Sequence, residues 1–180
     1  MLGENPLDIN KNIVLRFKLD AQQSKIWLSL QQFFFVRDNW NKLLLFLKND
    51  SKFSLRVIDY FLTNYSSNNN IVYKKINIFN SYKQQLKKFH KKFFDPCSRG
   101  LRIPFFISNE ECILTTICQL NFFKWFIQTN IYEYLISNYS EIKKSMKNKS
   151  TNNNNNNNLN YSNDKVIYCS TGKNLQAIFD

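Results

Sequence analysis

Apolar residues recur three and four positions apart along most of this chain, and that spacing constrains its fold more than any other feature. In residues 78–94 one stripe advances by alternate steps of three and four: Phe79, Tyr82, Leu86, Phe89 and Phe93. Such a stripe covers one face of an α-helix that is buried against other elements. The same spacing predicts helices from about residue 21 and over 39–48, 54–65, 112–129 and 131–147.

These segments predict a mainly α fold, a compact multi-helix domain with a small terminal β element. The helix predicted at 112–129 is apolar around most of its circumference and is the candidate core helix. Seventeen Phe, nine Tyr and three Trp supply large side chains for that core. Asp20, Asp38 and Ser54 stand where the side chain of an N-cap residue would start the helices that follow them.

The two ends of the chain show a different pattern. Residues 12–19 alternate with a period of two, which predicts a half-buried strand. We expect a single helical domain over residues 1–150, beginning with this strand. Residues 151–163 include seven consecutive Asn and predict a disordered linker. Residues 164–180 predict a C-terminal strand or hairpin, which could pair with the N-terminal strand.

The charge of the chain favours a polyanionic partner. Its 25 Lys and Arg outnumber its 13 Asp and Glu, for a formal net charge of +12. Such an excess is typical of proteins that contact DNA, RNA or an anionic surface. Asn, Lys, Ile, Phe and Tyr are all abundant and share AT-rich codons, so genome composition explains part of the Lys content. The arrangement of the charges therefore carries more information than their number.

The strongest candidate site is the basic segment that begins on the helix at 78–94. Lys83, Lys87 and Lys91 repeat every four positions, which would align them on one helical face. The full set of predicted nucleic-acid-binding residues is Lys83, Lys87, Lys88, Lys91, Lys92, Arg99 and Arg102. Opposite a polyphosphate such a set gains free energy by counterion release. A solvated helix face is the alternative interpretation of the same pattern.

Aromatic residues alternate with these charges, and exposed rings could stack on single-stranded bases. Phe89 and Phe93 fall on the apolar stripe, so core packing is the preferred interpretation for both. His90 falls on or near the polar side of the helix, where we expect a solvated imidazole.

Patterns of catalysis and metal binding are missing from the sequence. His90, Cys97, Cys112 and Cys118 are separated by six, fourteen and five residues, unlike the short spacing of a zinc knuckle. Residues 170–174 carry only part of a phosphate-binding loop. The carboxylates do not cluster as a two-metal site requires. The sequence predicts a protein that is not an enzyme and has no catalytic residue, metal ligand or cofactor.

The sequence also lacks the signals of membrane insertion and secretion. It contains no apolar run of 18 residues, so no transmembrane helix and no membrane partner are expected. Its first residues do not form a signal peptide. We therefore expect an intracellular protein, not a secreted one, with reduced cysteines.

Several segments together resemble a family of small uncharacterised proteins found in giant viruses, the nucleocytoplasmic large DNA viruses. They are residues 54–66, 82–97 and 115–125, with a hydrophobic residue followed by Phe179 and Asp180 at the C-terminal tip. The resemblance covers about residues 50–140 and that tip. It implies a viral protein in the host cytoplasm, at the virus factory, or in the virion. The family has no established activity, so no catalytic residue is carried over.

Two function hypotheses follow. The first is a non-enzymatic viral accessory protein that binds DNA or RNA, mainly through phosphate contacts and with little sequence specificity. The second is a minor virion structural or scaffold protein that uses its aromatic surplus in contacts with other viral proteins.

Overall fold

The computed structural model describes residues 6–48, 51–108, 111–152 and 168–169. The helices are α1 (Pro6–Arg16), α2 (Ala21–Phe34), α3 (Arg37–Leu47), α4 (Leu55–Tyr60), a π-helical turn (Phe61–Tyr65), α5 (Ser66–Asn68), α6 (Ile78–Phe94), α7 (Ile117–Gln128), α8 (Ile131–Ser137) and α9 (Tyr139–Asn152). The strands are β1 (Val72–Tyr73), β2 (Ile76–Asn77), β3 (Ile103–Phe106), β4 (Cys112–Thr115) and β5 (Tyr168–Cys169). The prediction of a mainly α domain with minor β structure is confirmed.

Side-chain caps explain where several helices begin. The backbone NH of Gln23 donates to Asp20 Oδ1 at 2.7 Å, and the NH of Asp20 donates back to Gln23 Oε1 at 2.9 Å. This capping box satisfies two NH groups that the helix itself leaves unpaired. Ser54 caps α4 and Asn77 caps α6 through their side-chain oxygens. The predicted caps at Asp20 and Ser54 are confirmed. The predicted cap at Asp38 is wrong, because α3 begins at Arg37 and Asp38 lies within its first turn.

The core is built around α7, whose Phe122, Phe123 and Phe126 are fully buried. Phe46 of α3 stacks on Phe123 with ring centroids 5.5 Å apart, and Tyr82 of α6 meets Phe122 edge-on at 6.3 Å. Each such pair adds about 0.5–1.5 kcal/mol beyond the burial of its area. A central core helix is therefore confirmed, although it begins at residue 117 because residues 112–115 form β4.

The strands form one hairpin and one three-stranded sheet. β1 and β2 pair antiparallel around Lys74 and Lys75, whose φ angles of 48° and 67° are left-handed. β3 pairs antiparallel with β4, and β4 pairs antiparallel with β5, so β4 is central. β5 lies within the C-terminal strand predicted for residues 164–180, but its partner is β4 and not a strand at the N-terminus.

The prediction of an N-terminal strand at residues 12–19 is wrong, because these residues lie on and just after helix α1. Ile13 is 4% exposed and Leu15 is 78% exposed, although a strand would have put both side chains on the same face. The buried side chain of Asn10 attaches α1 to the sheet. Its Nδ2 donates to Phe106 O at 2.8 Å, and its Oδ1 accepts from Phe106 N at 3.2 Å. An amide side chain thus bonds to the backbone at the edge of β3.

The domain boundaries are only partly covered by the described residues. Helix α9 ends at Asn152, so it includes the first two residues of the predicted linker 151–163. The rest of that segment, and all of 164–180 except β5, lie outside the described residues. In the described part of the chain, no helix combines the length and apolarity needed to cross a bilayer.

Candidate nucleic-acid interface

Helix α6 is anchored by its apolar face and turns its lysines outward. Tyr82 packs on Trp125 of α7 at a centroid distance of 5.9 Å, and Phe94 packs on Phe122 at 5.8 Å. Phe93 is also buried, at 7% exposure, which agrees with its predicted core role. The opposite side of α6 carries the five predicted lysines, all of them exposed: Lys83, Lys87, Lys88, Lys91 and Lys92.

No acidic side chain offsets these lysines along α6. Residues 78–94 contain no Asp or Glu. Ion pairs in the described ranges include Lys42 with Asp38 and Lys74 with Glu133, and none uses a lysine of α6. The five ammonium groups therefore keep their full charge available for an anionic partner. We call this exposed lysine side of α6 the basic face.

A break at His90 divides the basic face into two parts. His90 has φ 60° and ψ 159°, so two helical segments meet there at a kink. A non-glycine residue in such a conformation costs about 1–3 kcal/mol, which the surrounding packing must offset. Lys83 and Lys87 lie before the kink and Lys91 lies after it. The kink thus interrupts the helix on which the sequence predicted Lys83, Lys87 and Lys91 to share one face.

Three of the lysines make cation–π contacts with aromatic rings of α6. The Nζ atom lies 5.3 Å from the Phe79 centroid for Lys83, 4.9 Å from Phe89 for Lys88, and 5.0 Å from Phe93 for Lys92. Each contact contributes about 0.5–1 kcal/mol at an exposed site. Their main consequence is orientation, because a lysine that lies along a ring loses less rotamer entropy when it binds a phosphate.

An open cleft lies next to Lys92, at the end of α6, and Arg99, in the loop that follows. Both residues line this cleft of about 310 Å³ between the end of α6, the loop and the start of α7. Its other lining residues are Leu19, Gln23, Phe93, Gly100, Leu101, Ile103, Thr116, Ile117 and Cys118. The lining of the cleft thus combines apolar and uncharged polar residues with two cationic side chains. Arg102 is half-buried and does not line it.

Hydrogen bonds to α7 hold this loop in place. Asn121 Nδ2 donates to Phe93 O at 2.9 Å, and Gln119 Nε2 donates to Pro96 O at 3.3 Å. The thiol of Cys118 lies 3.7 Å from Ser98 O. Arg99 therefore follows a segment that is tied to the core helix, which limits how far its backbone can move from Lys92.

The structure places one further cation, the half-buried Lys124 of α7, near the basic face. It is the only charged residue of α7, and its Nζ donates to Ser29 O at 3.2 Å. Burial, followed by the nearby charge of Lys88, lowers the pKa of Lys124. The sequence offered one signal for this position, a single Lys in an apolar helix, but the proximity of Lys88 required the packing of α6 on α7.

The thiols near the cleft are poor nucleophiles. Burial, together with the charges of Asp59 and Asp95, raises the pKa of Cys97 to about 12. Burial also raises the pKa of Cys118, against a lowering hydrogen bond from Thr116. Thiolate is the reactive and metal-binding form, so both groups are uncharged at neutral pH. Among the described residues, no three His, Cys, Asp or Glu side chains are grouped to hold a metal ion.

Comparison with known proteins points to a viral family. A family model described as a family of unknown function, DUF7197, matches residues 4–173. An uncharacterised protein of Acanthamoeba polyphaga mimivirus is 31% identical over 118 residues, which cover 58% of this chain and 46% of that protein. The chain thus matches less than half the length of this relative. No solved structure matches the chain.

Proposed function

The chain belongs to the family of unknown function DUF7197, and we propose that it is a non-enzymatic viral accessory protein that binds nucleic acid. The contacts are made by the basic face of α6 with Arg99 and Arg102, and they are mainly to phosphates. The similarity to a mimivirus protein supports the viral context. The proposed place of action is the host cytoplasm, at the virus factory, or the virion.

The observation that carries this proposal is the concentration of unopposed charge on one side of α6. Five exposed lysines lie within ten residues, with no acid in the helix and no ion pair to a described residue. Bringing like charges together on a surface costs free energy that counterions normally reduce. A nucleic acid replaces those counterions and releases its own, which makes association favourable at moderate salt.

The same geometry supports phosphate contact rather than base recognition. Lysine ammonium groups carry charge but no planar donor pattern that matches one base. The kink at His90 also prevents α6 from entering a groove as one straight helix. We therefore expect affinity that depends strongly on salt and weakly on sequence.

The experiment measures binding to labelled single-stranded and double-stranded DNA and RNA over a range of salt concentrations. The test variant carries Lys87, Lys88 and Lys91 each changed to Gln. The control variant carries the same change at Lys25, Lys144 and Lys147, which are exposed on α2 and α9. Both variants lose three charges, so they separate the basic face from net charge.

We expect the logarithm of the binding constant to fall with the logarithm of salt with a slope of about −0.9 for each phosphate contact in duplex DNA. Each lysine lost from the basic face should reduce the slope by about one such unit, while the control keeps the wild-type slope. Equal losses in both variants would mean that net charge, not this face, drives binding. Absence of binding near physiological salt would refute the proposal.

A second candidate is a minor virion structural or scaffold protein. Large apolar side chains are exposed at Leu15, Leu28 and Val36, on α1, α2 and the α2–α3 turn, with exposed fractions of 78%, 51% and 53%. Exposed apolar residues contribute to protein–protein contacts when they are buried by a partner. Co-purification with virion proteins by wild type but not by a Leu15→Ser, Leu28→Ser variant would favour this role.

A further inference from the structure

The backbone register of the sheet places two cysteines opposite each other. β5 pairs antiparallel with β4 so that Cys169 is the partner of Cys112 and Tyr168 is the partner of Ile113. Directly opposed residues of an antiparallel pair have Cα atoms about 4.5–5.5 Å apart. Disulfides span Cα separations of about 4.4–6.8 Å. The register therefore meets the backbone requirement for a cross-strand disulfide.

We propose that Cys112 and Cys169 are a redox modification site, at which a reversible disulfide fastens the C-terminal strand to the sheet. The oxidant is another disulfide, of the low-molecular-weight class represented by oxidised glutathione. One cysteine thiolate attacks a sulfur of that disulfide, forms a mixed disulfide and expels one thiol. The second cysteine, as its thiolate, attacks the protein sulfur of the mixed disulfide and expels the second thiol. Two protein thiols are oxidised, and one disulfide is reduced to two thiols.

The pairing of β5 is short enough to allow this exchange. Cys112 is 2% exposed, so an external disulfide reaches it only when the sheet opens locally. β5 contributes two residues to the sheet, and so small a strand separates at low free-energy cost compared with global unfolding. Opening admits the oxidant, and closing returns the two residues to the register in which the bond forms.

The other described cysteines lie in different settings. Cys97 belongs to the loop after α6, and Cys118 lies in the first turn of α7 with its thiol 2.9 Å from Thr116 Oγ1. Neither residue has a cysteine as its partner in a strand pair. The backbone thus selects Cys112 and Cys169 out of the four cysteines of the chain.

The bond has a structural consequence beyond the two residues. β4 is the central strand only while β5 is paired, and without β5 its outer edge presents unpaired NH and CO groups. A disulfide would close a covalent loop from residue 112 to residue 169, which contains α7, α8, α9 and the seven-Asn run. Oxidation therefore keeps β5 on the edge of β4. In the reduced protein, only the backbone pairing of the two β5 residues covers that edge.

The test uses the full chain, treated either with oxidised glutathione or with dithiothreitol, then digested with trypsin without reduction. We expect oxidation to lower the intact mass by two hydrogens and to link tryptic peptides 103–124 and 166–173, which hold Cys112 and Cys169. Peptide 103–124 also holds Cys118, so the link must persist in Cys118→Ala. The link must disappear in Cys112→Ser and in Cys169→Ser. Cys169→Ser is the control for folding, because it leaves the buried Cys112 unchanged.

A second measurement follows amide hydrogen exchange in β4 of the folded protein. We expect exchange of the outward NH groups of β4 to slow by about tenfold or more on oxidation, because opening of β5 becomes restricted. The same treatment should leave exchange in Cys169→Ser unchanged. A link through peptide 93–99, which holds Cys97, a link that persists in Cys112→Ser, or glutathione adducts without a link would each overturn the proposal.

Discussion

Replacement of Asn10 by Ala tests how the N-terminal segment is attached to the sheet. Asn10 is fully buried, and its side chain satisfies both the NH and the CO of Phe106, 96 residues away. Phe106 is 3% exposed, so water has little access to these groups in the variant. A buried polar group that loses its partner costs about 1–3 kcal/mol. Two such groups predict a loss of about 2–6 kcal/mol in the free energy of unfolding.

The assay is urea denaturation followed by the fluorescence of the three tryptophans. They include Trp27, which packs on Phe105 with ring centroids 5.1 Å apart. With a slope of about 2 kcal/mol per molar urea, the midpoint should fall by about 1–3 M. Asn12→Ala is the matched control, because Asn12 is exposed on the same helix. Its expected effect is within about 0.5 kcal/mol, as for surface substitutions generally.

The result that refutes this reasoning is an equal effect of the two substitutions. If residues 12–19 formed the strand that their alternation predicts, Asn10 would precede that strand and have no role in covering β3. Asn10→Ala would then behave like Asn12→Ala. A large loss at Asn10 alone supports the attachment of α1 to the edge of β3.

Three further perturbations have defined outcomes. Thr116→Ala removes the oxygen that accepts from the NH of Gln119 at 3.2 Å and starts α7, so thermal unfolding should show a loss of about 1–2 kcal/mol, which Thr116→Ser should largely restore. Lys75→Gly relieves a left-handed φ of 67° in the β1–β2 turn and should stabilise the protein by up to about 1 kcal/mol, whereas a loss would show that the turn is not strained. Burial, with the hydrogen bond to Glu141, raises the pKa of Tyr65 to about 12. Its protonated form is thus favoured in the folded state, so this contribution to stability is complete below about pH 10 and is lost as pH rises through 12. Alkaline unfolding of Tyr65→Phe should lack that loss, and an identical pH profile in both proteins would contradict the assignment.

Most helices could be predicted because their signals are local. The stripe of residues 78–94 and the caps at Asp20 and Ser54 depend on neighbours within a turn or two, and all three were confirmed. The exposure of the five lysines of α6 could be predicted for the same reason. They lie opposite an apolar stripe, so they face solvent when that stripe is buried. The basic face was therefore predictable in composition, although its use in binding stays a prediction.

Elements that depend on distant partners could not be predicted in this way. Residues 112–115 were assigned to a helix because their apolar residues continue into α7, but pairing with residues 103–106 makes them a strand. The kink at His90 has no marker in the local sequence. The cleft beside Arg99 likewise exists only because the loop is bonded to α7.

Short segments determined some properties of this protein, and contacts between residues far apart in sequence determined the others. From residue types alone, this protein had to be basic, aromatic-rich and mainly helical, because charge, side-chain size and apolar spacing are properties of short segments. That Asn10 would cover the edge of β3, that Lys124 would lie near Lys88 and that the backbone of Cys112 would pair with that of Cys169 required the tertiary structure. Each of these depends on the free energy of a contact between residues far apart in sequence, which no local pattern encodes.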